Sequence, residues 1–180
     1  DGTHFFRCRA GQFVDNKVYR AKMGGYFLES CEQVLAANCV IQDSGSRGVT
    51  IERGSTRCTL QNCTIEGSGR EGLWIPDCRQ CIVTGNLFIK NGRKPNTPRQ
   101  IWNANLTINE AAPAAKQNQW MPGAQDYLIA NNTIETDDSQ VAAIRISASP
   151  RLHQIVVQNN LLLGSNRRIE IEGDERSEIR

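Results

Sequence analysis

Residues 58–92 read CTLQNCTIEGSGREGLWIPDCRQCIVTGNLFIKNG and carry one phrase twice, Asn62-Cys-Thr-Ile65 and Asn86-Leu-Phe-Ile89, 24 residues apart. The phrase returns as Asn16-Lys-Val-Tyr19, Asn38-Cys-Val-Ile41, Asn131-Asn-Thr-Ile134 and Asn159-Asn-Leu-Leu162. Six copies at successive spacings of 22, 24, 24, 45 and 28 define a unit of 22 to 24 residues, with insertions in two copies. Gly25, Gly48 and Gly72 open short apolar runs in step with it, and Gly2 precedes Asn16 by the 14 residues that separate Gly48 from Asn62. The repeat fills the chain.

Each unit holds three short runs of β-branched and apolar residues. In one copy they are Val49-Thr-Ile51, Cys58-Thr-Leu60 and Thr64-Ile65, closing on Gly67-Ser-Gly69. The runs are too short, and too often broken by Gly and Asn, for paired helices. Stacking successive units sets every strand beside its own copy about 4.8 Å away, which makes parallel sheets wound into a solenoid. About six turns give a rod of roughly 29 Å. An Asn at a tight bend adopts a left-handed backbone readily, and its amide can bond the same amide one turn on. The six Asn are therefore expected to form a buried ladder. Asn62 and Asn131 also fit the N-x-[ST] glycosylation pattern, but as ladder members they would be inaccessible.

The 180 residues include 22% charged side chains with a net charge of +2, so no bulk field favours nucleic acid or an anionic membrane. No apolar run reaches the roughly 20 residues needed to cross a bilayer, and no signal peptide is visible. The start reads as a trimmed end, and the chain as one domain, residues 1–180, of a longer protein. Seven cysteines include one CxxC, Cys78-Arg-Gln-Cys81, without a partner pair. Cys39 and Cys63 share one column of the repeat; Cys8, Cys31 and Cys78 share another with Gly54. Stacked thiols inside the solenoid are expected rather than disulfides or a metal site.

An Asn ladder between the second and third strands of such a unit resembles the right-handed, single-stranded parallel β-helix of the pectate-lyase-like superfamily, carried here by Asn16, Asn38, Asn62, Asn86, Asn131 and Asn159. The resemblance covers essentially the whole chain. It implies an all-β fold with three strands per turn and a substrate cleft on the strand after the Gly turn. It also implies a secreted, periplasmic or cell-surface protein and a polysaccharide partner, with neither nucleic acid nor membrane insertion. Alternation along that strand gives one outward column of His4, Phe27, Thr50, Trp74, Trp102 and Arg145, and a second of Phe6, Glu29, Glu52, Pro76, Ala104 and Ser147. Trp74, Trp102 and Phe27 form a platform for sugar rings if open, or pack under a loop if not.

Two insertions, residues 90–100 and 107–124, flank the same sheet. The first carries Lys90, Arg93, Lys94 and Arg99, and Arg47 and Arg70 occupy the matching turns of earlier units. An anionic substrate follows, with Arg70, Arg93 and Lys94 binding it. Glu29 and Glu52 on adjacent rungs, with Asp77 close by, would repel unless a proton, an Arg or a hard cation such as Ca²⁺ intervened. The favoured reading is a polysaccharide lyase that cleaves an acidic polysaccharide by β-elimination: in β-helix lyases such acidic clusters hold Ca²⁺ against the uronate while a Lys or Arg removes a ring proton, so the resemblance makes Arg145, Lys90 and Arg99 candidate bases. Glu52 is the further catalytic candidate, because a glycoside hydrolase would use the carboxylates as acid and base. A non-catalytic carbohydrate-binding or adhesin module, or a structural stalk, would use the same fold. Trp74-Ile-Pro-Asp77 partly matches the lyase Trp-Ile-Asp-His motif. The lyase Arg-x-Pro-x-x-Arg, polygalacturonase Gly-His-Gly and alginate-epimerase Asp-Pro-His-Asp motifs do not occur, and neither does an N-terminal cap helix.

Overall fold

A computed structural model describes residues 1–95, 103–110, 123–173 and 179–180. Short β-branched runs separated by left-handed turn residues leave the backbone no helical option, and among the described residues every regular element is a strand. The first sheet stacks β1 (Thr3–Phe6), β4 (Tyr26–Glu29), β7 (Val49–Glu52), β10 (Leu73–Trp74), β13 (Ala104–Ile108), β16 (Ala142–Ala148) and β19 (Ile169–Gly173). The second stacks β2 (Gln12–Val14), β5 (Leu35–Ala37), β8 (Thr59–Gln61), β11 (Ile82–Thr84), β14 (Gln125–Ala130) and β17 (His153–Gln158). The third stacks β3 (Lys17–Tyr19), β6 (Val40–Gln42), β9 (Thr64–Glu66), β12 (Leu87–Ile89), β15 (Thr133–Thr136) and β18 (Leu161–Gly164). All pairings are parallel and join each strand to its copy one unit away, so the chain is a three-sheet parallel β-helix of about six turns.

Inward columns such as Val49–Leu73–Leu106–Ile144 and Ile41–Ile65–Phe88–Ile134 fill the interior. Gly25 and Gly48 open their rungs because an added Cβ would lie 2.4 Å from Cγ2 of Ile41 and of Ile65 respectively. All seven cysteines are free; six are buried and Cys8 is half-buried.

The polar ladder lies one residue from the expected place in four of the six turns. Asn38, Asn62, Asn131 and Asn159 take the left-handed bend, with φ of 55°, 50°, 57° and 54°, while Asp15 and Gly85 take it in the other two. The inward ladder residue is the next one along. Asn86 donates to the Asn132 Oδ1 at 3.0 Å and Asn132 to the Asn160 Oδ1 at 2.9 Å, and Cys63 donates its backbone N–H to the Asn86 Oδ1 at 2.9 Å. Cys39 continues the row with its N–H directed at the Cys63 sulfur, 3.4 Å away. The phrase Asn-x-x-Ile merged two registers, because an Asn suits either place: the bend tolerates it and the ladder bonds it. Asn62 and Asn131 are consequently exposed rather than inaccessible. A second ladder, Ser68–Asn91–Asn105, closes the turn before the first sheet, with 3.0 Å bonds from backbone N–H to side-chain oxygen at each step. Gly54, at φ 72°, is an extra turn residue, so Ser55 rather than Gly54 falls in the row of Cys8, Cys31 and Cys78.

Candidate binding face

The outward side of the first sheet carries two columns fixed by the strand register. One runs His4, Phe27, Thr50, Trp74, Thr107, Arg145, Glu170; Glu29 and Glu52 pair in the other, which ends at Ser147 and Glu172. Phe27, Glu29, Glu52, Trp74 and Arg145 thus stand on the face expected of them. The fourth rung differs: Thr107 pairs with Trp74, five residues beyond the expected Trp102. Leu106 and Ile108 give the same inward alternation as Ile101 and leave no residue unpaired against Ile144 and Ile146. Ala104, expected outward, is 1% exposed and sits within β13. Trp102 and Arg99 lie outside the described residues, as do most of the two insertions.

Trp74 is half-buried, and its indole N–H donates to the Asn109 Oδ1 at 2.6 Å. The Arg47 guanidinium lies over its ring, 3.7 Å from the centroid, and Arg47 Nε donates to Glu71 at 3.1 Å. Glu71 is also approached by Arg70, at 3.6 Å. Burial lowers the Arg47 pKa from its ordinary value and Arg70 adds to this, while Glu71 opposes it; the group remains a cation at any working pH. Arg47, Phe27, Thr50 and Glu52 are walls of a pocket of ≈ 220 Å³, which Asp1, Met23, Gly24 and Ser46 complete. Thr50 is 6% exposed, and its hydroxyl makes no hydrogen bond with the described residues.

Glu29 and Glu52 are adjacent-rung partners, as expected, and charged side chains hold them. Arg53 reaches both, with NH1 2.9 Å from Glu29 and Nε 3.4 Å from Glu52. The second oxygen of Glu29 meets His4 Nε2 at 3.1 Å, and the His4 ring is stacked on Phe27 at 4.3 Å and 8°. Burial raises the Glu52 pKa above the usual carboxylate value and Glu29 adds to the rise, against the opposing pull of Arg53 and Arg47.

The other expected residues do not join this site. Asp77 is 1% exposed at the left-handed bend beyond β10, the place that Arg53 takes one rung earlier. Among the described residues no group of three or more His, Cys, Asp or Glu could hold a metal, and the oxygens expected for Ca²⁺ are taken by His4 and Arg53. Lys90 follows β12 of the third sheet, where its ammonium pairs with Glu135 at 3.1 Å, off the face. Arg93 is exposed and pairs with Asp43 at 3.4 Å, and Lys94 is exposed beside it. Arg145 is 9% exposed and lies between Glu170, at 3.7 Å, and Glu172. Sequence reading assigned no site role to His4, Arg47, Thr50, Arg53 or Asn109. The position of Arg47 at the turn before β7 was the one available signal, since a long side chain there reaches the next rung.

A family model described as "Right handed beta helix region" matches residues 1–95. The chain belongs to that family. As a right-handed β-helix it resembles two solved structures from Azotobacter vinelandii. The mannuronan C-5 epimerase AlgE6 A-module aligns with a TM-score of 0.67 at 14% identity, over 98% of this chain and 53% of that one. The AlgE4 A-module aligns with a TM-score of 0.65 at 13% identity, over 94% of this chain and 57% of that one. The likeness is one of fold, and the chain spans little more than half the length of these modules. No curated protein sequence matches the chain.

Proposed function

We propose that the outward face of the first sheet binds an acidic polysaccharide and acts on the bonds that link its sugars. The observation that carries this reading is Arg47, spread flat on Trp74 beside a pocket walled by Phe27, Thr50 and Glu52. A guanidinium held by an aromatic face and a buried carboxylate loses little side-chain freedom on binding, and it matches a carboxylate in two-pronged geometry. Phe27 offers an apolar wall for a sugar ring and Thr50 a hydroxyl without a hydrogen bond among the described residues. The two structural neighbours are by name mannuronan epimerases, so a uronate polymer suits this scaffold. Such a substrate would set the protein at work outside the cytoplasm or at a cell surface.

Lyase chemistry is the second reading, supported by Arg47, because β-elimination needs a cation against the uronate carboxylate. Among the described residues its base is harder to supply: Lys90 is on another sheet and Arg145 is paired with two carboxylates. The test is titration of intrinsic tryptophan fluorescence with uronate oligosaccharides. A saturable change that weakens with salt is expected, and Arg47→Ala should weaken binding about tenfold, a loss of roughly 1.4 kcal/mol. Arg93→Ala, on the flank, should change it less than twofold. No response to any uronate or sulfated polymer would remove this reading.

A further inference from the structure

Within that reading, the structure assigns a reaction to the face: we propose that Glu52 and Glu29 are the acid and the nucleophile of a glycoside hydrolase that retains configuration at the anomeric carbon. Three observations converge on the pair. Strand register sets the two residues directly opposite each other on adjacent rungs, about 4.8 Å apart along the backbone. One guanidinium, Arg53, touches both carboxyl groups, at 2.9 Å on Glu29 and 3.4 Å on Glu52. Carboxyls about 5 to 5.5 Å apart belong to retaining enzymes, whereas an inverting pair stands roughly 6.5 to 9.5 Å apart to admit water. Finally, Glu52 faces a pocket that is also lined by Thr50, whose hydroxyl has no hydrogen bond among the described residues.

The two carboxyls differ in environment, and the difference sets their roles. Glu29 accepts from His4 on one oxygen and from Arg53 on the other, which fixes the direction of its carboxyl group. Glu52 is 14% exposed at its side chain, has only a longer contact with Arg53, and is pushed by burial toward its protonated form. Paired carboxyls whose surroundings drive their proton affinities apart divide into an acid and a base or nucleophile. In the first step a Glu29 oxygen bonds to the anomeric carbon while the glycosidic C–O bond breaks, and the leaving oxygen takes the Glu52 proton. In the second, water gives a proton to Glu52 and its oxygen to the anomeric carbon, releasing Glu29. His4 is a positioning residue: its stacking on Phe27 fixes the ring that fixes Glu29.

The experiment incubates the chain with a panel of uronate oligosaccharides, among them oligogalacturonate and oligomannuronate. Fluorescence binding, new reducing ends, absorbance of an unsaturated product and the anomer first released, by proton NMR, are read in parallel. The proposal expects binding, new reducing ends without unsaturated product, and retention. Glu52→Gln and Glu29→Gln should each lower turnover about 10²- to 10⁴-fold with binding kept within a few-fold. Circular dichroism and thermal melting of the variants separate lost chemistry from lost fold. His4→Gln should shift the pH profile while retaining part of the turnover, which a bystander would not do. Absence of binding defeats the polysaccharide reading itself. Binding with unsaturated product, with inversion, without cleavage, or with full turnover in either Gln variant defeats the hydrolase proposal alone.

Discussion

Glu52 joins stability to the proposed chemistry in one side chain. Its folded-state pKa lies above that of an unfolded Glu, so the folded protein binds a proton more tightly than the unfolded chain does. Below the unfolded pKa both states are protonated and the burial has no pH-linked effect. As pH rises through the folded pKa the ionised group becomes a penalty on folding, and that penalty stays at neutral pH. Glu52→Gln should therefore raise the melting temperature at pH 7 to 8 and change it less at pH 4, as a paired thermal-melt series would show. A variant that melts lower at neutral pH would mean that the Arg53 contact outweighs burial. Burial acts in the same direction on the interior thiols, pushing those of Cys58 and Cys63 up to about 12. The half-buried Cys8 should react first with a thiol reagent in the native protein, and the other six should wait for unfolding. At this scale alternation made the face legible: Phe27, Trp74, Glu29 and Glu52 were placed by counting in twos. Arg47 and Arg53 were not, because their roles come from reaching across rungs, and no spacing within one rung encodes such a reach.

At the scale of the element, the turn between the second and third sheets shows why a period can be right while its register slips. The bend needs a left-handed residue and the following position needs an inward hydrogen-bonding group; Asn serves both, so a phrase anchored on Asn aligned Asn62 with Asn86 although Gly85 is the structural counterpart of Asn62. The two places predict different costs. Asn132→Ala removes bonds to Asn160 and Val83 and leaves the Asn86 N–H unpaired, so it should destabilise by about 1 to 3 kcal/mol. Asn62→Gly, at an exposed left-handed bend, should be close to neutral, and Asn62→Ala should cost about 1 kcal/mol through backbone strain alone. Denaturant unfolding of the three variants checks the assignment, and equal losses at Asn132 and Asn62→Gly would restore the other register. The fourth rung slipped for a related reason: Ile101-Trp102 imitates Leu73-Trp74, yet Leu106 and Ile108 meet the neighbouring rungs. Sequence periodicity places an insertion only to within its own length, and this one falls between two strands that both alternate.

Across the whole molecule, parallel stacking turns sequence repetition into spatial adjacency, so groups 23 to 25 residues apart become neighbours: His4 with Glu29, Arg47 with Glu71. The first sheet runs the length of the rod, and its outward column extends from His4 to Arg145 over six strands, roughly 24 Å at about 4.8 Å per rung. A net charge of +2 is too small to draw an anionic polymer from a distance, so attraction depends on Arg47 and its neighbours at short range. Affinity should then depend on how many rungs a ligand covers. On the proposed function, a single uronate confined to the pocket of ≈ 220 Å³ would engage Arg47, Phe27 and Thr50 but leave the rest of the face wet. Longer oligosaccharides lying along the axis gain contacts rung by rung until the column is covered, after which added length contributes nothing. A fluorescence titration across an oligouronate size series should show affinity rising and then levelling, and the rise should persist in Arg47→Ala from a lower start. If a monosaccharide bound as tightly as the longest chain, the pocket would be an isolated small-molecule site and the sheet merely its support.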